Sequence, residues 1–354
     1  MSEASDILAP LEDWLRARLP DASDLRVSGL RKPGAGESSD TQLLEIDYRE
    51  AGVARHIAAV LRCAPREGGP FPEYDLGMQF HVMRILGEAK RVPVPEVLWL
   101  EEDPATLGVP FLVMRAVEGN APLDFPSYQA GGVYFDDSPE ARAHMWDSTL
   151  EALARLHETP WKVPLAGIVP GTREGEDPAR QCLRYWRNYL EDFLKGDDAS
   201  RVPVFDDAME WLESEFVMPD RLSLCWGDAK IGNVLYHPTT RDVAAVIDWE
   251  MASIGDPAYD LASLHLSDLR AQDGAGGVAL PGTPTAKELV ACYERHSGET
   301  VRNFHYALVF STFWRGSVQL AVMRHMRARG AEIDDALFVD NFPTRILRGL
   351  LEQA

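Results

Sequence analysis

The sequence predicts an α+β chain of two lobes, in which a small antiparallel sheet precedes a large, mainly helical lobe. Three observations support this prediction: strand-like runs broken by Gly, Pro and Ser after Leu25, one helix-forming segment inserted among them, and helical periodicity through most of the second half. The 354 residues suffice for two lobes that share a cleft. We place the boundary after Arg115, which divides the chain into residues 1–115 and 116–354.

The first lobe begins with an amphipathic helix, because leucines recur at helical spacing at positions 8, 11, 15 and 19. Residues 25–50 and 55–65 contain strand-like runs separated by turn-forming residues, which predicts an antiparallel meander. Residues 75–88 predict a second helix, since their apolar side chains fall on one face. Residues 92–103 and 108–119 predict two further strands.

The second lobe begins with an irregular segment, residues 121–141, which is rich in Pro, Gly and aromatic residues. Helices are predicted over most of the remaining chain, at residues 145–159, 182–196, 205–216, 286–298, 304–330 and 334–353. The stretch from Leu222 to Trp249 is the main exception, because its apolar runs are short and strand-like. Such a pair of lobes predicts a ligand site in the cleft between them.

The charge of the chain excludes some partners. A formal net charge of −21 gives no attraction to nucleic acid or to an anionic membrane, so we expect neither as a partner. We expect most of this charge to lie on a solvated surface. Acidic groups that line a pocket would instead favour a cationic substrate.

The remaining bulk features are typical of a cytoplasmic protein, which we expect to be a monomer or a homodimer. The four cysteines form no CxxC pair and are predicted to be reduced and buried. The first twenty residues lack the basic and apolar regions of a secretion signal. The longest apolar run, residues 307–323, is interrupted by Arg315, Gly316 and Gln319, so no membrane span is predicted.

The segment LSLCWGDAKIGNVLY, residues 222–236, places Asp228 and Asn233 between two short apolar runs, and Asp248 follows the next apolar run, AAVI. Carboxylate and amide oxygens suit a small hard cation such as Mg²⁺, which leaves other positions for phosphate oxygens and water. Phosphoryl transfer also needs a carboxylate that orients or accepts the proton of an attacking hydroxyl. The spacing therefore predicts a base followed by two metal ligands, as in protein kinases.

Three segments, WGDAKIGNVLY, VIDWEMASIGDPAYDLA and VPVPEVLWLEEDPATLGVPFLVMRAVEG, resemble the aminoglycoside phosphotransferase-like or choline-kinase-like superfamily of small-molecule kinases. The similarity is greatest to the branch of kinase-like domains joined to some acyl-CoA dehydrogenases, and it extends from about Gly34 to the helix after Asp260. The resemblance implies a bilobal protein-kinase-like fold. It also implies transfer of a phosphoryl group from ATP, with Mg²⁺, to a hydroxyl group of a small-molecule acceptor.

On this resemblance, Asp228 is the catalytic base, and Asn233 and Asp248 are the magnesium ligands. Lys230 matches the lysine that many protein kinases place against the transferring phosphoryl group, although a surface lysine is an equal alternative. The superfamily commonly has histidine two positions before the base, where this chain has Trp226. We expect Trp226 to pack under the loop.

The phosphates of the nucleotide are expected to contact the Gly-rich segment GAGESSD, in which Gly34, Gly36 and Ser38 would approach them closely. An ordinary Gly/Ser turn is the alternative. Arg62 takes the place of the strand lysine and brings a fork suited to phosphate oxygens. Its helix partner, which should be acidic, aligns with Gln79.

The adenine is expected at the segment that joins the lobes. Backbone groups of Arg115 and Val117 would hold it, with Met114 at the entrance. Four other polar residues are predicted to have structural roles: Asp256 and Asp260 at turns and a helix start, and His157 and His265 in the core or at helix ends.

Two other functions remain open. A nucleotide-binding pseudokinase with a regulatory role would explain Arg62, Gln79 and the tryptophan in place of histidine. A nucleotide hydrolase would release phosphate without an acceptor. The acceptor is also open: aminoglycosides need a cluster of carboxylates, choline an aromatic cage, and a hydroxy-acyl compound an apolar channel with a basic patch.

Overall fold

The computed structural model describes residues 2–32, 40–66, 74–172, 175–194 and 202–353. Five strands form one antiparallel sheet in the order β1-β2-β3-β5-β4. The strands are β1 (Ala22–Arg31), β2 (Asp40–Glu50), β3 (Val53–Cys63), β4 (Val97–Glu101) and β5 (Phe111–Arg115). Helix α1 (Ser2–Arg18) precedes the sheet, and helix α2 (Leu76–Ala89) lies between β3 and β4 in the chain, as predicted.

The chain after β5 is mainly helical, again as predicted. The helices are α3 (Val133–Asp136), α4 (Pro139–His157), α5 (Pro178–Leu194), α6 (Pro203–Ser214), α7 (Pro257–Asp273), α8 (Ala286–Ser297), α9 (Phe304–Ala328), α10 (Ala336–Val339) and α11 (Phe342–Leu351). Four short strands separate α6 from α7: β6 (Ser223–Cys225), β7 (Val234–Tyr236), β8 (Val243–Val246) and β9 (Ser253–Gly255). They form two pairs, β6 with β9 and β7 with β8.

Several helix boundaries differ from the prediction: α5 begins at Pro178 rather than at residue 182, α7 had no predicted range, and two further differences have a local cause. Helix α4 begins at Pro139 rather than at residue 145, because the Ser138 side chain accepts a hydrogen bond from the Ala141 N–H and proline suits a first turn. The single helix predicted over residues 334–353 is wrong. It is two helices, because Asn341 caps α11 in a reciprocal pair with Thr344, which ends α10 before it.

Three groups of buried side chains hold the fold together. One packs α1 on the sheet, and the Trp14 and Phe111 rings there lie 4.8 Å apart. A second lies among the helices of the C-terminal half. The third spans both halves, since Val82 of α2 and Leu112 of β5 belong to it together with Trp226. This shared core fixes the sheet against the segment that carries the predicted site.

The apolar run of α9 stays inside the protein. Phe313 and Trp314 are buried in its middle, next to the charged Arg315. Among the described helices, none combines the length and the apolar character that a bilayer crossing requires. All four cysteines are free and buried, which confirms the prediction made for them.

Candidate active site

The loop that carries Asp228 joins β6 to β7. A single 3₁₀ turn, Ile231–Asn233, leads from the loop into β7. Gly227 has φ +90°, and a Cβ atom there would lie 2.1 Å from the Met251 carbonyl oxygen. Only glycine fits this position without displacing backbone. The chain after Asp248 therefore passes directly against the predicted catalytic loop.

The Asp228 carboxylate is held on both oxygens. Its Oδ2 accepts a hydrogen bond from Asn233 Nδ2 at 3.0 Å and lies 3.4 Å from Lys230 Nζ. Its Oδ1 lies 3.1 Å from Arg315 Nη1. Burial alone would raise the pKa of Asp228, but Lys230 and Arg315 outweigh burial and the pKa is lowered. The group is thus an ionised carboxylate in a fixed position.

Asn233 lies beside Asp248 through the backbone, because the Ile247 N–H donates to the Asn233 carbonyl at 3.0 Å. Its side-chain nitrogen Nδ2 is occupied by Asp228, so the amide is turned with Oδ1 free of any donor in the described chain. This orientation fits a cation ligand, which needs oxygen. Asn233 Oδ1 and the Asp248 carboxylate are the groups that would hold Mg²⁺.

Asp248 has φ +64°, a region that residues other than glycine rarely occupy. Such backbone strain persists where neighbouring contacts fix it. Trp226 provides these contacts, since its indole Nε1 donates to the carbonyl oxygens of Ile247 at 2.9 Å and Asp248 at 3.2 Å. The tryptophan that replaces the expected histidine therefore holds the segment of Asp248 in place, in addition to packing under the loop.

Arg62 of β3 connects the sheet to this segment. Its Nη2 lies 3.0 Å from Asp248 Oδ1 and 2.8 Å from Glu250 Oε2. The prediction that Gln79 is its partner is wrong, because Glu250 supplies the acidic group from the other side of the cleft. Arg62 Nε is buried and has no hydrogen-bond partner within the described part of the chain. An unpaired buried donor beside two carboxylates fits a group that contacts phosphate oxygens once a metal occupies Asp248.

Glu250 was not among the predicted site residues. Burial and, to a lesser extent, the nearby Asp248 charge raise its pKa to about 7, and Arg62 acts against both. The residue follows Asp248 by two positions in the sequence. That proximity is the only sequence signal that points to it.

Lys230 and Arg315 complete the surroundings of Asp228. Lys230 Nζ lies 2.8 Å from Asp124 Oδ2, in the irregular segment after β5. Arg315 Nη1 also donates to Ser263 Oγ of α7 at 2.7 Å. Arg315 was missed as a site residue, although a lone arginine in the apolar run of α9 was its available signal. Asp124 had no signal, since it lies in an irregular loop.

The segment that joins the lobes offers fewer groups than predicted. The backbone N–H of Arg115 donates to the Glu96 carbonyl at 2.8 Å, so it is not free to contact adenine. The Arg115 side chain also pairs with Glu96, at 2.7 Å. Met114 is buried and Val117 is partly exposed. The predicted adenine contacts are thus reduced to the Arg115 carbonyl and the backbone of Val117, and their role stays a prediction.

The predicted phosphate loop lies outside the described residues. Gly34, Gly36 and Ser38 all belong to residues 33–39. Their contact with nucleotide phosphates therefore remains a prediction from the sequence.

Asp260 does not cap a helix, contrary to the prediction. It lies inside α7, fully buried, and accepts hydrogen bonds from the backbone N–H groups of Trp226 at 2.7 Å and Gly227 at 2.9 Å. His157, buried at the end of α4 as predicted, contacts the same carboxylate at 3.1 Å. Asp256 does cap α7, through Ala258 N–H. A buried carboxylate thus braces the loop from behind, away from any substrate.

A cavity of about 80 Å³ opens beside the metal-binding segment. Tyr74, Tyr185, Trp186, Glu250 and Met251 are among its lining residues. Since Met251 lies against Gly227, the cavity adjoins the loop of Asp228. Trp186 of the helical lobe therefore lines a cavity next to Glu250 and Met251, close to the loop of Asp228.

Residues 30–289 match the phosphotransferase enzyme family, abbreviated APH. The chain is 28% identical over 306 residues to a probable acyl-CoA dehydrogenase of Arabidopsis thaliana. The aligned region covers 82% of this chain and 35% of that protein. It is 26% identical over 316 residues to acyl-CoA dehydrogenase family member 10 of Mus musculus, covering 83% and 27%. The chain spans about a third of the length of these curated relatives.

Two solved structures have a similar fold. A putative aminoglycoside phosphotransferase from Ralstonia eutropha gives a TM-score of 0.65 at 22% identity, covering 97% of this chain and 95% of that one. A macrolide 2′-phosphotransferase from Brachybacterium faecium gives 0.55 at 19% identity, covering 96% and 98%. These similarities confirm the predicted bilobal kinase-like fold.

Proposed function

Because the chain belongs to the phosphotransferase enzyme family, we propose that it transfers the γ-phosphoryl group of ATP to a hydroxyl group of a small molecule. One observation carries the proposal. The ionised Asp228 carboxylate is fixed beside Asn233, while Arg62 of β3 contacts Asp248 on the segment that passes the same loop. Base, metal ligands and phosphate-binding cation thus come together in one cleft.

Asp228 positions the acceptor hydroxyl and accepts its proton. The hydroxyl oxygen forms a bond to the γ-phosphorus, the bond from that phosphorus to the β,γ-bridging oxygen breaks, and ADP leaves with the electron pair. Lys230, 3.4 Å from the carboxylate, is placed to offset charge on the transferred group. A magnesium ion held by Asn233 and Asp248 would neutralise the phosphates.

Arg62 changes partners in this proposal. In the structure it holds both Asp248 and Glu250. Glu250 would still hold Arg62 if Asp248 bound a metal ion, and the unpaired Nε of Arg62 would then be available to a phosphate oxygen. Glu250 thereby supplies the acidic partner that was expected at the position of Gln79, where the sequence has an amide instead. This weakens the pseudokinase alternative, because the loss of that ion pair was its main support.

The test is acceptor-dependent ADP formation with Mg-ATP. The acceptor panel contains aminoglycosides, choline and hydroxy-acyl thioesters, the last because the curated relatives are named acyl-CoA dehydrogenases. We expect one class to raise ADP formation above the acceptor-free rate, and Asp228→Asn to abolish the increase. Equal phosphate release with and without every acceptor would favour a hydrolase. ATP binding without any turnover would favour a pseudokinase.

A further inference from the structure

Three cations lie near the proposed base, although the chain as a whole carries a net charge of −21. Lys230 and Arg315 contact Asp228 directly, and Asp124 contacts Lys230. Arg270 of α7 lies close enough to Arg315 for the two positive charges to interact, and Asp124 and Asp273 act on Arg270 as well. The contacts that these cations leave unused decide what they can bind.

Arg315 has hydrogen-bonding capacity that the protein does not use. Its Nη1 donates hydrogen bonds to Asp228 Oδ1 at 3.1 Å and to Ser263 Oγ at 2.7 Å. Its Nε and Nη2 have no hydrogen-bond partner among the described residues. The side chain retains 20% of its exposure, so solvent still reaches it. The Nε–Nη2 edge is the fork that binds a carboxylate or a phosphate through two parallel hydrogen bonds.

Arg270 extends the positive surface by about one helical turn. Its Nη1 donates to Gln319 Oε1 at 2.8 Å, and Gln319 lies one turn after Arg315 on α9. The nearby Asp273 is paired with Arg345 at 3.2 Å, so it does not neutralise Arg270 through a direct contact. Arg270 is exposed. The two arginines therefore form a strip that leads from solvent to Asp228.

The strip lies on the acceptor side of the cleft. Arg62 and Asp248, which serve the nucleotide in the proposed function, lie on β3 and on the segment after β8. Arg315 and Arg270 come instead from α9 and α7 of the helical lobe. A molecule that brings its hydroxyl to Asp228 from this lobe passes both guanidinium groups.

We infer that the acceptor carries an anionic group, a carboxylate or a phosphate, within a few bonds of the hydroxyl that is phosphorylated. Arg315 binds this group through its free edge, and Arg270 attracts it from solvent. The inference rests on the proposed function, because it concerns the acceptor of the same site. Arg315 is then the residue that determines specificity for acceptor charge.

Two other roles for Arg315 make different predictions. If Arg315 only orients Asp228, its loss lowers kcat for every acceptor to the same extent. If it binds the phosphates of ATP, its loss raises the KM for ATP. Binding of an anionic acceptor instead raises the KM for that acceptor and leaves neutral acceptors and ATP affected much less.

The experiment compares acceptors that differ only in charge. Hydroxycarboxylates of four to eight carbons are tested beside their methyl esters and the matching amino alcohols, and glycerol 3-phosphate beside glycerol, which distinguishes carboxylate from phosphate. We expect the parent to prefer the anion in each set. Arg315→Met should lower kcat/KM for the anion about 10- to 100-fold, the usual effect of losing charged hydrogen bonds. Arg315→Lys should recover part of the kcat/KM for the anion, and Arg270→Met should lower this kcat/KM less than tenfold.

The control is Arg155→Met, which removes the same charge from an exposed pair with Glu151 on α4 and should leave the acceptor preference unchanged. A second measurement does not need turnover. With the nucleotide site filled by Mg-ADP, inorganic phosphate or butyrate should raise the melting temperature of the parent. At the same anion concentration, the rise in Arg315→Met should be at least tenfold smaller.

Preference for neutral or cationic acceptors would overturn the inference and leave the proposed phosphotransfer intact. Equal melting shifts in the parent and in Arg315→Met would also overturn the inference. If no acceptor yields ADP and Mg-ATP does not bind, the proposed function fails, and the melting shifts that phosphate and butyrate cause without nucleotide then decide whether Arg315 is an anion site.

Discussion

Asp228 and Asp248 have the same side chain and different surroundings. Lys230, Arg315 and Asn233 contact the Asp228 carboxylate, whereas Arg62 contacts that of Asp248. One group is thus fixed by the helical lobe and by its own loop, and the other is tied to the sheet. Their proposed roles can be separated by mutation for this reason.

Asp228→Asn should leave Mg-ATP binding nearly unchanged and cut phosphoryl transfer by roughly 10²–10⁴-fold, the usual range for a lost general base. Asp248→Ala should damage both, because it removes a metal ligand. Calorimetry with Mg-ATP and steady-state ADP formation measure the two effects. Circular dichroism and a melting curve of each variant test whether it folds. A folded Asp228→Asn protein with the parental transfer rate would refute the role of this loop.

Arg62 and Glu250 are expected to act as one unit in ATP binding. Arg62→Ala should weaken ATP binding, and Arg62→Lys should recover only part of it, because lysine has no second nitrogen in place of Nε, the donor proposed to contact a phosphate oxygen. Glu250→Gln should also weaken binding, and the double variant Arg62→Ala with Glu250→Gln should be no worse than Arg62→Ala alone. Calorimetry measures the ATP affinity of the parent, of Arg62→Ala, of Glu250→Gln and of the double variant, and these four values form a double-mutant cycle. Additive losses would show that Glu250 does not act through Arg62.

At the scale of elements, α1 is fixed to the sheet by Glu101 at the end of β4. The carboxylate accepts hydrogen bonds from Trp14 Nε1 at 2.6 Å and from Arg18 at 2.8 Å. The Arg18 guanidinium also lies 3.7 Å from the centre of the Trp14 ring. The hydrogen bond from Trp14 is the largest cause of the lowered pKa of Glu101, and Arg18 contributes as well.

This contact predicts a pH-dependent contribution to stability. A carboxyl group whose pKa is lowered on folding stabilises the fold above its ordinary pKa of 4.5, and the contribution is lost as the pH falls through the folded value. Glu101→Gln should therefore be less stable than the parent at pH 7, and the difference should shrink below pH 4.5. Urea unfolding at several pH values measures it.

The matched control for this prediction is Glu88→Gln. It removes an exposed ion pair with Arg84 within α2, so its effect should be small at every pH. A loss in Glu101→Gln that stays constant down to pH 3 would show that packing rather than charge is responsible.

The elements themselves could be predicted from the sequence wherever one periodicity persists. The long helices and the hairpin of β2 and β3 are of this kind. The break between α10 and α11 was missed because the apolar pattern continues across it. What divides the pattern is a local hydrogen-bond exchange between Asn341 and Thr344, and Pro343 adds a first-turn signal that periodicity does not weigh.

At the scale of the whole molecule, the lobes are joined by a shared core and by the ion pairs of Arg62. The residues proposed as base and metal ligands, Asp228, Asn233 and Asp248, could be singled out from the sequence because they lie within one short stretch, and their roles stay predictions. The contact from Arg62 to Glu250 spans 188 residues, and that from Arg315 to Asp228 spans 87. No local pattern specifies such distant contacts, since the packing of α9 on α7 and of the sheet on β8 creates them.

Ligand binding in this cleft should stabilise both lobes together. At a concentration of Mg-ATP one hundred times its Kd, we expect about 2.7 kcal/mol of added stability and a rise in melting temperature of about 4 °C. ATP with excess chelator should give a smaller shift, because Asn233 and Asp248 then lack the metal that joins them to the phosphates. Scanning calorimetry of parent and Asp248→Ala measures this. Equal shifts with and without magnesium would argue against a metal site at these residues.

The indole of Trp226 has a consequence for the conditions under which the site keeps its shape. An imidazole at this position would gain a second proton in mildly acidic solution and alter the bonds it makes to its neighbours. The indole N–H has no such equilibrium. Its two bonds to the carbonyl oxygens of Ile247 and Asp248 therefore keep the same donor at every pH at which the protein is folded. The hold of residue 226 on the segment that carries Asp248 is therefore not changed by acidification.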